Sequence, residues 1–325
     1  MATFQHEWQL YPDTDYHFFR LTCTDSTTGK ERLRADITPD NGMNLFSLQV
    51  DGTELMMDRG PIVDNQWSLG TYILYPSPGR MEKAKFTFDG RKFRLQPNWF
   101  DNQIHGLVRF QRWEYDEPTV NTDGISLTAR IEFEPDTPLY REFPVRNRLE
   151  VTMTLHETGL RYDFVVTNRD RDNRLPFGLA IHPFFNIIGD RRDVRLKVPA
   201  THVLENVDLI PTGKRLPLNG HPADLREIHS LESLDLDEIY FGVTPDSPPI
   251  IWFDDSDRQL TLTGSELFSH CVVYTPAGQS FFCVENQSCA ADAHNLHSRK
   301  KDSGLSILEP GESMTAWIDL TISRT

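Results

Sequence analysis

No apolar run in this 325-residue chain approaches the ~18 residues that a membrane-spanning helix needs. Positive charge is scarce as well: 33 Lys and Arg stand against 48 Asp and Glu, a formal net charge of −15. A surface so acidic repels phosphate backbones and anionic lipid, which argues against nucleic acid or a membrane as a partner. The residues Met1 to Glu7 carry neither the basic segment nor the apolar stretch of a secretory signal, so a cytosolic location is expected. There are only four cysteines. Cys23 stands alone, and Cys271, Cys283 and Cys289 show neither C-x-x-C spacing nor a paired histidine at zinc-site spacing. Buried free thiols are expected rather than a metal site or a disulfide. Also missing are G-x-G-x-x-G after a strand, G-x-x-x-x-G-K-[ST], the G-x-S-x-G elbow and H-E-x-x-H. Dinucleotide, nucleoside triphosphate, serine-hydrolase and zincin chemistries thereby lose their usual anchors.

What the chain does have is aromatic bulk and a period of two. Its 20 Phe, 9 Tyr and 6 Trp are enough to fill a sizeable core. Phe46, Leu48 and Val50 alternate with polar residues up to Asp51-Gly52. Ala84, Phe86 and Phe88 alternate into Asp89-Gly90, and Phe93 and Leu95 lead out of it. Leu149 to Leu155 and Leu160 to Val166 flank the turn His156-Glu157-Thr158-Gly159, and Pro310-Gly311 precedes Met314, Ala316, Ile318 and Leu320. Each pattern predicts a strand with one buried face. Helical spacing is confined to Leu225–Leu234 and Ala290–Lys301, each predicting one short helix. Pro and Gly are scattered as turn residues, with no linker and no composition break. The reading is all-β, a large antiparallel sandwich forming one domain over residues 1–325.

Polar residues intrude on this pattern at four places: Gly79-Arg80 after Ile73 to Pro78, His105-Gly106, His182-Pro183-Phe184-Phe185-Asn186, and Glu285 closing Phe281-Phe282-Cys283-Val284. A carboxylate with one or two imidazoles and no activated serine forms a general acid–base set. Phe184, Phe185, Trp99, Phe100 and Trp113 supply aromatic faces against which the apolar side of a sugar can lie. His294 and His297, three apart and near Asp292, lack a third ligand at metal spacing and are expected on the surface.

The order of these segments resembles the aldose 1-epimerase (galactose mutarotase) family from about residue 35 to about residue 320. Gly79-Arg80 resembles the family's G-R-x-x-N, and His105-Gly106 its L-H-G-G. His182 to Asn186 resembles H-x-x-[YFW]-N, and Asp237-Glu238-Ile239-Tyr240 resembles D-x-x-[FY]. Val284-Glu285-Asn286-Gln287 carries the strand-terminal glutamate, and Leu308-Glu309-Pro310-Gly311-Glu312 resembles L-x-P-G-E. The resemblance implies a galactose mutarotase-like supersandwich and a cofactor-independent isomerase that interconverts the α and β anomers of a free hexose. It implies Glu285 as the base, His182 as the acid, and His105, Arg80 and Asp237 as sugar-binding residues. Asp235 rivals Asp237 for its place. Lys83, Leu107 and Pro183 depart from the family pattern around the sugar hydroxyls, where substrate identity is set. The expected partner is a small sugar, with no metal or other cofactor, in a monomer or homodimer. With one recognisable cleft arginine in an acidic chain, neutral sugars are expected over a hexose 6-phosphate. A binding protein that has lost catalysis is the reading from another class.

Overall fold

Wherever apolar and polar side chains alternate, the chain folds into paired strands. The computed structural model describes residues 2–11, 14–57 and 70–325. Lys85–Phe88 and Arg91–Arg94 pair around Asp89-Gly90, both of which have positive φ (48° and 76°), as a two-residue hairpin turn demands. Asn147–His156 and Gly159–Asn168 pair along their full ten residues, with Leu149, Val151, Met153 and Leu155 turned inward. Ser313–Arg324 lies between Gly159–Asn168 and Arg258–Gly264 rather than beside Ser306–Leu308, which pairs with Leu175–Phe177.

Among the described residues two sheets, of twelve and ten strands, dominate. The larger runs, in part, Asn44–Val50, Thr71–Leu74, Ala180–Asn186, Phe281–Gln287, His270–Tyr274, Asp237–Phe241. Strand neighbours far apart in sequence are therefore adjacent in space. Ile73, Ile181, Phe282 and Val284, from one face of this sheet, share an apolar core with Leu127, Val151, Phe164 and Leu262 of the smaller sheet. Burying such side chains is the principal stabilising term, at about 25 cal/mol per Å² removed from water. The opposite face of the larger sheet is free to build a site. All-β architecture in large antiparallel sheets is as the alternation predicts.

The two helical expectations contract. Ala290–Lys301 yields only the helix Ala293–Ser298. Leu225–Leu234 yields a 3-10 turn at Leu231–Ser233 after the two-residue strand His229–Ser230, because Leu225, Leu231 and Leu234 bury singly from an irregular segment. All four cysteines are free and buried, as expected. No helix among the described residues is long and apolar enough to cross a membrane.

Candidate active site

Strand alternation turns His182 and Phe184 to the same face of Ala180–Asn186, and Phe281, Cys283, Glu285 and Gln287 to the same face of Phe281–Gln287. The register places Ala180 opposite Gln287 and Phe184 opposite Cys283, so His182 stands beside Glu285. On one side His182 faces Tyr72, and on the other Glu285 faces Val272, which faces Ile239. A second row runs from Phe184 through Cys283 and Tyr274 to Asp237. These rows floor a cavity of about 330 Å³, at the small end for ligand pockets.

One wall is carried by the segment that contains His105. Gln103–Ile104 pairs with Arg80–Met81, and the Asn98 side chain both donates to Ile104 O (3.1 Å) and accepts from Ile104 N–H (2.7 Å). His105 N–H donates to Gly79 O at 2.9 Å, with the His105 backbone in the left-handed region at φ 67°. Gly106 follows at φ 68°, so close to the neighbouring strand end that an added Cβ would lie 2.2 Å from Tyr75 O. Only glycine fits there, and the contact fixes the height of His105 over the sheet. Opposite, Asp292 N–H donates to Arg80 O at 2.7 Å, and Asp292 Oδ1 accepts from Glu82 N–H at 2.9 Å and from Asn295 Nδ2 at 2.7 Å.

At the floor His182 Nε2 lies 3.3 Å from Glu285 Oε1, with Glu285 2% exposed. The His182 ring stacks on Phe184 at 4.4 Å and meets the His105 ring edge-on at 4.8 Å. Burial, reinforced by the Arg109 cation, pushes His182 down to about 3. Burial also drives His105 well below the usual histidine value, with His182, Arg109 and Arg80 adding to it. Glu285 is driven the other way: burial raises its carboxyl well above the ordinary value, while the Gln287 hydrogen bond opposes. Burial thus holds both imidazoles neutral near pH 7 and disfavours the ionised form of Glu285. Arg80 Nη2 lies 3.6 Å from Asp237 Oδ2, and burial raises Asp237 against that cation.

All five residues expected at the site, Glu285, His182, His105, Arg80 and Asp237, line this one cavity. Asp235 does not: its carboxylate accepts from Ala277 N–H at 3.0 Å, and Asp237 takes the cleft position. Of the expected aromatic wall, Phe184 and Trp99 line the cavity. Phe185 and Trp113 are core residues, and Phe100 is 88% exposed outside it. Tyr72, Tyr274 and Phe281 replace them. His294 is not on the surface; it is 2% exposed, packs on Phe86 at 4.3 Å and approaches Pro176 O at 3.3 Å, and burial lowers it to about 4.

Sequence reasoning missed Arg109 and Gln287. Arg109 is 8% exposed, lies over the Phe110 ring at 4.5 Å, lines the cavity, and has no carboxylate within ion-pair reach among the described residues. Its signal was a cation closing the apolar step Leu107-Val108 after His105-Gly106. The fold also gathers His182, Cys283 and Glu285, whose ligand atoms lie within 4.8 Å of one another among the described residues. Spacing along the chain could not reveal that trio, since strand pairing brings residue 182 to residue 285. Its thiol packs with Tyr72, Leu74, Phe184 and Phe281, and burial pushes it well above the ordinary cysteine value.

The aldose 1-epimerase family model matches residues 27–321. The chain belongs to the aldose 1-epimerase family. A stretch of 156 residues is 31% identical to the galactose mutarotase of Sus scrofa, covering 46% of this chain and 42% of that protein. The match thus spans less than half of that relative's length. Among solved structures, a galactose mutarotase-like protein from Clostridium acetobutylicum superposes with a TM-score of 0.83 at 17% identity, covering 99% of both chains. The galactose 1-epimerase from Lactobacillus acidophilus NCFM gives 0.79 at 16% identity, covering 100% of this chain and 99% of that one. These likenesses establish the mutarotase-like fold.

Proposed function

We propose that this member of the family is an aldose 1-epimerase acting on a hexose by general acid–base ring opening. The observation that carries the reading is the buried His182–Glu285 pair, 3.3 Å apart on the floor of a cavity walled by aromatic rings. The anomeric hydroxyl oxygen and the ring oxygen sit on the same carbon, so two adjacent proton-transfer groups reach both without straddling the ring. Glu285 takes the proton from the C1 hydroxyl while His182 supplies one to the ring oxygen, and no full charge accumulates on the sugar. The step balances when His182 enters it as the imidazolium formed in the substrate complex: the proton Glu285 gains equals the one His182 gives up. Rotation about C1–C2 and reclosure in reverse give the other anomer. His105, Arg80 and Asp237 hold ring hydroxyls. Buried Arg80 Nε and His105 Nδ1 have no hydrogen-bond partner among the described residues, which suits a polyhydroxylated guest.

Polarimetry of freshly dissolved α-glucose and α-galactose tests the reading directly. Faster approach to equilibrium with enzyme supports it, and no acceleration of any aldose would return the protein to the sugar-binding class.

One observation favours a second reading, epimerisation of a hexose 6-phosphate. Two arginines line the cavity rather than one, and among the described residues Arg109 has no carboxylate within ion-pair reach. A buried, unpaired guanidinium is suited to a substrate anion. Glucose 6-phosphate compared with glucose separates the two readings: a kcat/KM at least tenfold higher for the phosphate, lost in Arg109→Met, makes the phosphate the substrate. Equal or lower kcat/KM keeps the neutral hexose.

A further inference from the structure

The base has a neighbour on its own strand that the acid–base scheme does not use. Gln287 is two residues beyond Glu285, on the same face, 1% exposed, and among the residues lining the cavity. Its Nε2 donates to Glu285 Oε2 at 2.8 Å. Its Oε1 is buried without a hydrogen-bond partner among the described residues. A buried amide that spends its donor on a carboxylate and leaves its acceptor unused is a costly arrangement for a purely structural residue.

We infer that Gln287 is a positioning residue for the base: its amide N–H holds Oε2 of Glu285, leaving Oε1 for His182 and the anomeric hydroxyl, and its amide oxygen accepts a sugar hydroxyl at the cavity floor. Two consequences follow from the geometry. First, a carboxylate held at one oxygen cannot rotate, so the basic lone pair points at one place. Second, a hydrogen bond to the carboxylate favours its ionised form against burial, the direction that keeps Glu285 able to accept a proton. The other groups that act on Glu285 are His182 on one flanking strand, Cys271 on the other, Cys283 on its own strand, Asp237 two strands away on the same sheet, and Arg80 on the cavity wall. Asp237 raises the Glu285 carboxyl and Arg80 lowers it, and Gln287 supplies the largest lowering contribution.

This inference rests on the epimerase reading for its kinetics but not for its titration. Gln287→Leu removes donor and acceptor, whereas Gln287→Glu keeps an acceptor and replaces the donor with a second carboxyl. In Gln287→Leu, kcat/KM should fall about tenfold or more, its acidic limb should move to higher pH, and KM should rise. In Gln287→Glu the limb should move at least as far, through like-charge repulsion, with KM held within about twofold. Independently of turnover, ¹³C NMR of labelled glutamate should show Glu285 titrating at higher pH in both variants. If the carboxyl titrates at the wild-type pH in both, the inference is overturned, whether or not sugars turn over. If activity falls while limb and KM stay put, the role is structural and the inference is likewise wrong. Wild-type enzyme inert to all aldoses but with a shifted Glu285 in both variants would overturn the epimerase reading and leave the positioning of Glu285 supported.

Discussion

In the proposed mechanism, Glu285 is the residue on which the chemistry turns. Glu285→Gln keeps the shape and one acceptor oxygen but cannot take a proton, so kcat should fall at least about 10²-fold, the low end for losing a general base. Sugar affinity should change far less, because Arg80, Asp237 and the aromatic wall are untouched. His182→Ala should cost a similar factor, and the double variant much less than the product, since both groups act on one transition state. A Glu285→Gln enzyme retaining more than about a third of wild-type kcat would remove Glu285 from its role. The same substitution carries a stability signature of opposite sign. A carboxyl raised in the folded state is protonated in both states at low pH, and burial opposes its ionisation as pH rises, so it destabilises the fold at neutral and higher pH. Glu285→Gln should therefore melt above wild type at pH 8, with the gap closing below the ordinary carboxylate range. Equal melting temperatures at both pH values would contradict the upward shift.

At the scale of elements, the decisive join is between the short strand Arg80–Met81 and the helix Ala293–Ser298. Asp292, just before that helix, makes it with three hydrogen bonds, to Arg80 O, Glu82 N–H and Asn295 Nδ2. Its backbone is left-handed at φ 54°, a conformation that Asp and Asn tolerate better than most residues. Asp292→Ala leaves the Glu82 N–H without its acceptor and should cost about 1–3 kcal/mol in denaturant unfolding. Because Arg80 rides on this join, KM should rise more than kcat falls. Asp292→Asn, which keeps one acceptor and the backbone preference, should recover most of the stability. A loss as large in Asn as in Ala would point to charge rather than geometry.

For the whole molecule, burial of neutral imidazoles sets the acid limit. His182, His270 and His294 are lowered to about 3, 4 and 4, each chiefly by burial. Below the ordinary histidine value near 6.5 the unfolded chain binds protons at these positions and the fold does not. Stability is complete above that value and should be lost as pH falls from about 6.5 toward 4, by up to about 1.4 kcal/mol per pH unit for each group. Urea midpoints that stay level between pH 6.5 and 4.5 would contradict it. Metal is the other global question. Exhaustive chelation should leave mutarotation unchanged, as should Cys283→Ser, since in the proposed mechanism neither proton transfer runs through the thiol. Activity lost to chelation and restored by one divalent ion would instead make the His182–Cys283–Glu285 trio a metal centre.

The sequence by itself determined the strand alternation, the Asp-Gly hairpins, the acidic surface and four polar side chains set in apolar surroundings, Arg80, His105, His182 and Glu285. It could do so because a period of two, a positive-φ turn and a charged residue in an apolar strand are local facts. The tertiary structure alone decided which of these meet. His182 reaches Glu285, and Asp237 rather than Asp235 reaches Arg80, through register between strands scores of residues apart, and a slip of one residue would turn each to the other face. Trp113 and Phe185 went to the core and Phe100 to solvent because aromatic character does not say which face of a sheet a ring takes. His294 was buried by the Phe86 hairpin packing over its helix. Arg109 and Gln287 acquired meaning only from what surrounds them, since a cation with no counter-ion among the described residues and an amide beside a carboxylate are properties of the packed cleft.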